Sequence, residues 1–129
     1  MGTATGRFVV AYEGKTALPQ QVFIEPGSIH MEDDRIPVTW NFNASRRVGW
    51  ATDFQRDVES GEISVEIVFD DPDVLYFIEH EKDFNEMFSA SMYLNNMEMT
   101  GKQFKGGSMT YGRLRSVALV PTELKGTWE

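Results

Sequence analysis

Residues Glu62 to Phe69 read EISVEIVF, with Ile63, Val65, Ile67 and Phe69 on one side and Glu62, Ser64, Glu66 and Val68 on the other. A period of two is the mark of a strand with one buried face and one largely wet face. That period stops at Asp70-Asp71-Pro72, which offers side-chain acceptors for free backbone N–H groups and then a proline preset for a first helical turn. Val74, Leu75, Phe77, Ile78, Phe84 and Phe88 then recur at helical spacing, opposite Asp73, Glu79, Asp83 and Glu86, with Glu81 interrupting the apolar stripe. The switch predicts one main helix around 72–88, packed on a sheet.

The rest of the chain reads as mostly β. Arg7 to Tyr12 (RFVVAY) and Gln21 to Ile24 (QVFI) are β-branched and aromatic runs separated by a stretch with breakers, Glu13 to Gln20. Glu25 to Arg35 carries Pro26, Gly27 and the acids Glu32, Asp33 and Asp34, and is expected to be a solvated loop. Ile36 to Trp40 resumes extended structure, and Val48 to Phe54 is the expected antiparallel partner of Glu62 to Phe69 across the polar connection Gln55 to Gly61. Ser89 to Leu94 reads as extended, Asn95 to Gly107 as a polar loop, and Arg113 to Val120 as a last strand stopped by Pro121. Residues 122–129 read as a tail, extended or dependent on a partner. With 129 residues, no internal repeat and no linker, the expectation is a single domain, mainly β (β+α), with one main helix.

Composition removes several chemistries. There is no cysteine, which excludes disulfides, thiolate nucleophiles and cysteine-ligated metals. Imidazole is available only from His30 and His80, which are not at the spacing of a zinc-binding helix. The acids around Asp70 lack the alternating ligands and glycine turn of a calcium loop, and among 20 acidic residues chance carboxylate pairs carry no glycosidase argument. Gly106-Gly107-Ser108 lacks the spacing and lysine of a phosphate-binding loop and reads as a turn. No metal or cofactor is expected. A net charge of −8 argues against nucleic acid as main partner, no apolar run reaches the length of a membrane-spanning helix, and the first 15 residues lack a basic-then-apolar export pattern. The charge is uneven: residues 1–99 hold seven cations and eighteen anions, whereas 100–129 hold five and two. Such asymmetry orients a protein on a charged partner surface.

Ser89 and Ser91 follow the expected helix at the start of an extended segment, where a rigid strand presents a hydroxyl. A serine nucleophile also needs a base within hydrogen-bond reach and donors for the oxyanion. Met87, Met92, Met97 and Met99 flank the same region and suit either an adaptable core or an adaptable contact surface.

The order of these features resembles the prohead (capsid maturation) serine protease family of tailed phages, related in fold to herpesvirus assemblin. The resemblance spans most of the chain and rests on Ile24-Glu25-Pro26-Gly27-Ser28-Ile29 as the Pro-Gly turn, Ile36 to Asn43 followed by Val48-Gly49-Trp50-Ala51, Ser89-Ala90-Ser91 after the helix, and Leu114 to Pro121 as the last core strand. It implies a single-domain antiparallel β-barrel like the prohead protease fold, with one main helix around 72–88 and the nucleophile at Ser89 or Ser91. It also implies that Phe42 stands where the family has its histidine, Asn43 in place of the neighbouring aspartate, and Ser116 in place of an acidic residue before the last apolar run. A triad acts as a unit, so a ring that takes no proton removes most of its rate enhancement.

The expected function is therefore that of a phage virion structural protein, a capsid-binding, decoration or assembly module on a catalytically inactive protease-like fold. Its expected partners are the major capsid protein, other phage structural proteins or further copies of itself. Its expected location is the virion, assembled in the host cytoplasm. The alternatives are an active maturation protease in which His80 or His30 serves Ser89 or Ser91, and a small β-barrel module for a peptide or apolar ligand. Candidate partner contacts are Arg113, Arg115, Lys125, Trp128, Met97 and Met99.

Overall fold

The computed structural model describes residues 2–81, 83–100 and 107–129. Its elements, in chain order, are β1 (Ala4–Tyr12), β2 (Lys15–Leu18), β3 (Val22–Ile24), β4 (Ile29–His30), β5 (Ile36–Trp40), β6 (Asn43–Arg56), β7 (Glu62–Phe69), α1 (Pro72–His80), α2 (Phe84–Met87), β8 (Phe88–Thr100), β9 (Ser108–Pro121), a 3₁₀ turn at Thr122–Leu124, and β10 (Thr127–Trp128). The strands join one curled sheet in the order β1-β7-β6-β5-β9-β3-β2-β10, with β4 and β8 also paired to β9.

The expected pairing of the two central strands is present, with Gly49 opposite Phe69 and Thr52 opposite Glu66. Ile63, Val65 and Ile67 are fully buried, and Phe69 nearly so, so the alternation in EISVEIVF marks the core face. Each such side chain contributes roughly 1.5–3 kcal/mol on leaving water. Gly49 lets β6 press onto β7: a Cβ there would lie 2.5 Å from the Val68 carbonyl oxygen.

The sheet is not wholly antiparallel. β9 is 14 residues long and receives β3, β4 and β5 in parallel at successive points along it, through Ser108–Met109, Gly112–Arg113 and Val117–Leu119. β8 pairs antiparallel with β9. Local alternation reports which residues are extended; it is silent on the direction of a partner arriving by a long crossover.

The helix expected over 72–88 is interrupted. Asp71 caps α1, its side chain accepting from the N–H groups of Asp73 and Val74, both at 3.1 Å. Glu81, at φ −111° and ψ 108°, leaves helical geometry, and Phe88 is already strand. Aromatic packing explains the break. Phe84 sits edge-on to Phe69 at 5.9 Å and tilts against Phe88 at 5.2 Å, while Phe88 meets Trp40 at 5.3 Å. Phe84 is turned into the core from a short second helix and Phe88 packs against it from the start of β8, an arrangement that one continuous helix with a charged interruption in its stripe would not deliver.

Other boundaries also move. Residues 95–100, read from their polarity as loop, continue β8, because the β9 ladder holds Glu98 opposite Tyr111 and Met99 opposite Met109. Residues 101–106, the remainder of that expected loop and part of the Gly106-Gly107-Ser108 turn, lie outside the described residues. The stretch with breakers after Tyr12 holds β2, and the expected acidic loop holds β4. Residues 122–129 are not a loose tail: Thr127 and Trp128 pair with Leu18 and Ala17, and the Trp128 ring meets Tyr12 at 5.6 Å.

Candidate functional site

The two ends of the curl, β1 and β8, approach within 8 Å between Cα atoms. Among the described residues β1 has a ladder only with β7, and β8 only with β9. A groove of about 940 Å³ follows this seam. Successive residues of β8 line it: Ser89, Ser91 and Tyr93, which project from one face of the strand, and Ala90, Met92 and Leu94, which project from the other. Both faces of one strand border a single groove only where its edge is open to that groove. Val9, Val10, Ala11 and Tyr12 line the opposite side in the same consecutive way.

Three further segments complete the walls. β2 and the turn after it contribute Leu18 and Gln20, the C-terminal segment contributes Leu124, Lys125 and Trp128, and the turn between β5 and β6 contributes Phe42. Met97, Met99 and Met109 add thioethers that adapt to irregular shapes. This chain carries 20 acidic residues, yet no Asp or Glu among the described residues lines the groove. Among the described residues its one charged lining residue is Lys125, which is exposed and makes no ion pair with any of them.

Ser89 is half-buried, and its hydroxyl shares a 2.9 Å hydrogen bond with the Thr122 hydroxyl. Ser91 stands opposite Ala118 in the ladder. Phe42, at the tight β5–β6 turn, has φ +63° and is 50% exposed. An L-residue in that left-handed region costs roughly 1–2 kcal/mol, and a half-exposed ring recovers only part of it by burial. Beside it, the Asn43 carboxamide accepts hydrogen bonds from the Ser45 N–H and hydroxyl.

The imidazoles are elsewhere. His80 stacks on Tyr76 at 4.0 Å, with Nδ1 2.9 Å from the Tyr76 carbonyl oxygen, at the end of α1. His30 stacks on Tyr111 at 4.9 Å on β4. Neither lines the groove. Ser116 lies opposite Tyr93 in the β8–β9 ladder, outside the groove lining. Among the described residues no three His, Cys, Asp or Glu side chains are grouped to hold a metal ion, and no helix is long and apolar enough to cross a membrane.

The expected partner contacts divide. Lys125, Trp128, Met97 and Met99 come together around the groove, whereas Arg113 and Arg115 do not. Arg113 is held by Asp33 at 2.9 Å and Glu32 at 3.4 Å, and its hydrogen bond to Asp33 raises its pKa above the ordinary arginine value. The Tyr111 hydroxyl donates to Glu32 at 2.7 Å, which raises the phenol pKa.

Sequence reasoning passed over Glu13, which fell in a stretch read as a connection. Its carboxylate is buried and held by Arg56, with Nε to Oε1 at 2.6 Å and Nη2 to Oε2 at 3.1 Å, and by the Ile29 N–H at 3.0 Å. Burial opposes ionisation and is the largest single influence. The bonds from Arg56, Ile29 and Gly27 together outweigh it and lower the pKa. The signal was weak, since nothing local marks a lone acid after a strand as buried.

The chain matches no protein-family model, no curated protein and no solved structure.

Proposed function

We propose that this protein is a structural module of a phage particle, a capsid-binding, decoration or assembly protein on a prohead-protease-like β fold that has lost its proton acceptor. One observation carries this reading: Phe42 lines the same groove as Ser89 and Ser91, and no imidazole among the described residues does. A half-exposed phenyl ring adds little to the core, and the tight hairpin at Asn41–Phe42, whose two central residues both take positive φ, turns that ring toward the groove. An acidic surface disfavours packaged DNA and suits a protein-facing position in the shell.

The test is the protein composition of purified particles, with stoichiometry relative to the major capsid subunit, combined with incubation of the purified protein with capsid precursor and a serine-reactive phosphonate. A fixed stoichiometry without cleavage or labelling is expected. Specific cleavage abolished by Ser89→Ala or Ser91→Ala would replace this reading with an active protease, and absence from assembling and mature particles alike would remove it.

A further inference from the structure

We propose that the groove takes an extended, largely apolar segment of a neighbouring protein, which pairs through its backbone with the open edge of β8 beyond the stretch where β1 comes within 8 Å of it, and sets a carboxylate against Lys125. The proposal deepens the function given above and rests on it for the identity of the neighbour. Three observations carry it.

The first is the edge. β8 runs for 13 residues with one side laddered to β9, and residues of both its faces, from Ser89 to Leu94, border the groove. Unpaired strand N–H and C=O groups are a template for another strand. A ligand that brings its own row of donors and acceptors satisfies them, and a hydrocarbon does not.

The second is the lining. An added strand presents alternate side chains to the surface beneath it. Met92, Leu94 and Met109 offer apolar contact for one set, and Ser89, Ser91 and Tyr93 offer hydroxyls for groups on the strand's other face.

The third is charge. A groove without Asp or Glu, in a chain of net charge −8, has one cation without an ion pair in its wall among the described residues, Lys125. A segment carrying one acid complements that wall, and a segment carrying a lysine meets a like charge. The charge term is modest because Lys125 is exposed, about threefold in affinity.

The test uses the full chain and three labelled, acetylated seven-residue peptides of alternating valine and threonine: one closing on glutamate, one closing on lysine, and one closing on glutamate with a central proline. Affinity is read by fluorescence anisotropy and the site by amide exchange. Expected results are saturable binding of the glutamate peptide, added protection of amides within residues 89–99, a roughly threefold preference for glutamate over lysine that reverses in Lys125→Glu, and loss of binding with proline. Circular dichroism confirms that Lys125→Glu is folded. Binding of none of the peptides, protection confined to other strands, an unchanged preference in Lys125→Glu, or protection of β8 by self-association without peptide would each overturn the proposal. Presence in particles without strand pairing at β8 rejects this inference alone. Strand pairing by a protein absent from particles rejects the phage reading alone.

Discussion

Arg56 holds the buried carboxylate of Glu13 with two N–H groups, at 2.6 and 3.1 Å, and the same guanidinium also donates to the Ile29 carbonyl oxygen. One side chain of β6 thereby ties the end of β1 to β4, two segments 16 residues apart that no ladder joins. A buried acid whose partner is removed is left with its full desolvation cost.

Arg56→Ala should therefore destabilise the protein by about 2 kcal/mol at neutral pH, less than for a fully enclosed pair because Arg56 keeps 30% of its side-chain exposure. Glu13→Gln adds a test of sign. The folded-state pKa of Glu13 is lowered, so its ionisation stabilises the fold fully above the unfolded value near 4.5, and that contribution is lost as pH falls through the folded value. The gap between wild type and Glu13→Gln, read from urea midpoints across pH 3 to 7, should narrow toward acid. A gap independent of pH would mean that the acid serves only by its shape.

Gly61 is the tightest backbone position beside that pair. It has φ +79°, and an added Cβ would stand 2.1 Å from the Glu13 carbonyl oxygen, where the Glu13 N–H also donates to the Gly61 carbonyl at 2.7 Å. Gly61→Ala should cost roughly 2 kcal/mol or more, from the left-handed conformation together with the clash. The measurement is a fall in urea midpoint at unchanged slope.

Asp71 has two functions in one carboxylate, capping α1 and accepting from Arg46 at 3.0 Å. Asp71→Ala should cost about 1–2 kcal/mol. Arg46→Ala should cost clearly less, since Arg46 is 45% exposed and the cap survives without it. Equal losses in thermal denaturation would place the stability in the ion pair and not in the cap.

Phe42→Gly separates folding from binding. Relief of the left-handed backbone at φ +63° offsets the packing that a half-exposed ring supplies, so stability should change by less than about 1 kcal/mol. On the proposed reading, Phe42→Gly should also weaken retention of the protein on phage particles. A large loss of stability would show that Phe42 is a packing residue.

Much of the architecture was legible along the chain. EISVEIVF announced its buried face, and Asp71-Pro72 announced the start of α1, because alternation and capping depend on near neighbours. In the sequence Phe84 and Phe88 read as apolar members of one continuous helix; both are apolar packing residues, but on a second short helix and at the start of β8. Their rings face Phe69 and Trp40 only because the helix breaks at Glu81, a choice made by contacts from strands distant in sequence.

By itself the sequence determined that the chain is mainly extended, which face of the central strand is dry, where the first helix begins, and that neither thiol chemistry nor a zinc-helix motif is present. Tertiary structure decided that β9 gathers three parallel strands, that Glu13 is a buried ion-pair partner, and that β8 extends through polar residues to Thr100. It also decided that Phe42, Ser89, Lys125 and Trp128, spread over more than 80 positions, share one groove. The physical reason is range: periodicity and caps act within a few residues, whereas crossover direction, ion-pair burial and the meeting of sheet ends are set by which distant surfaces exclude water together.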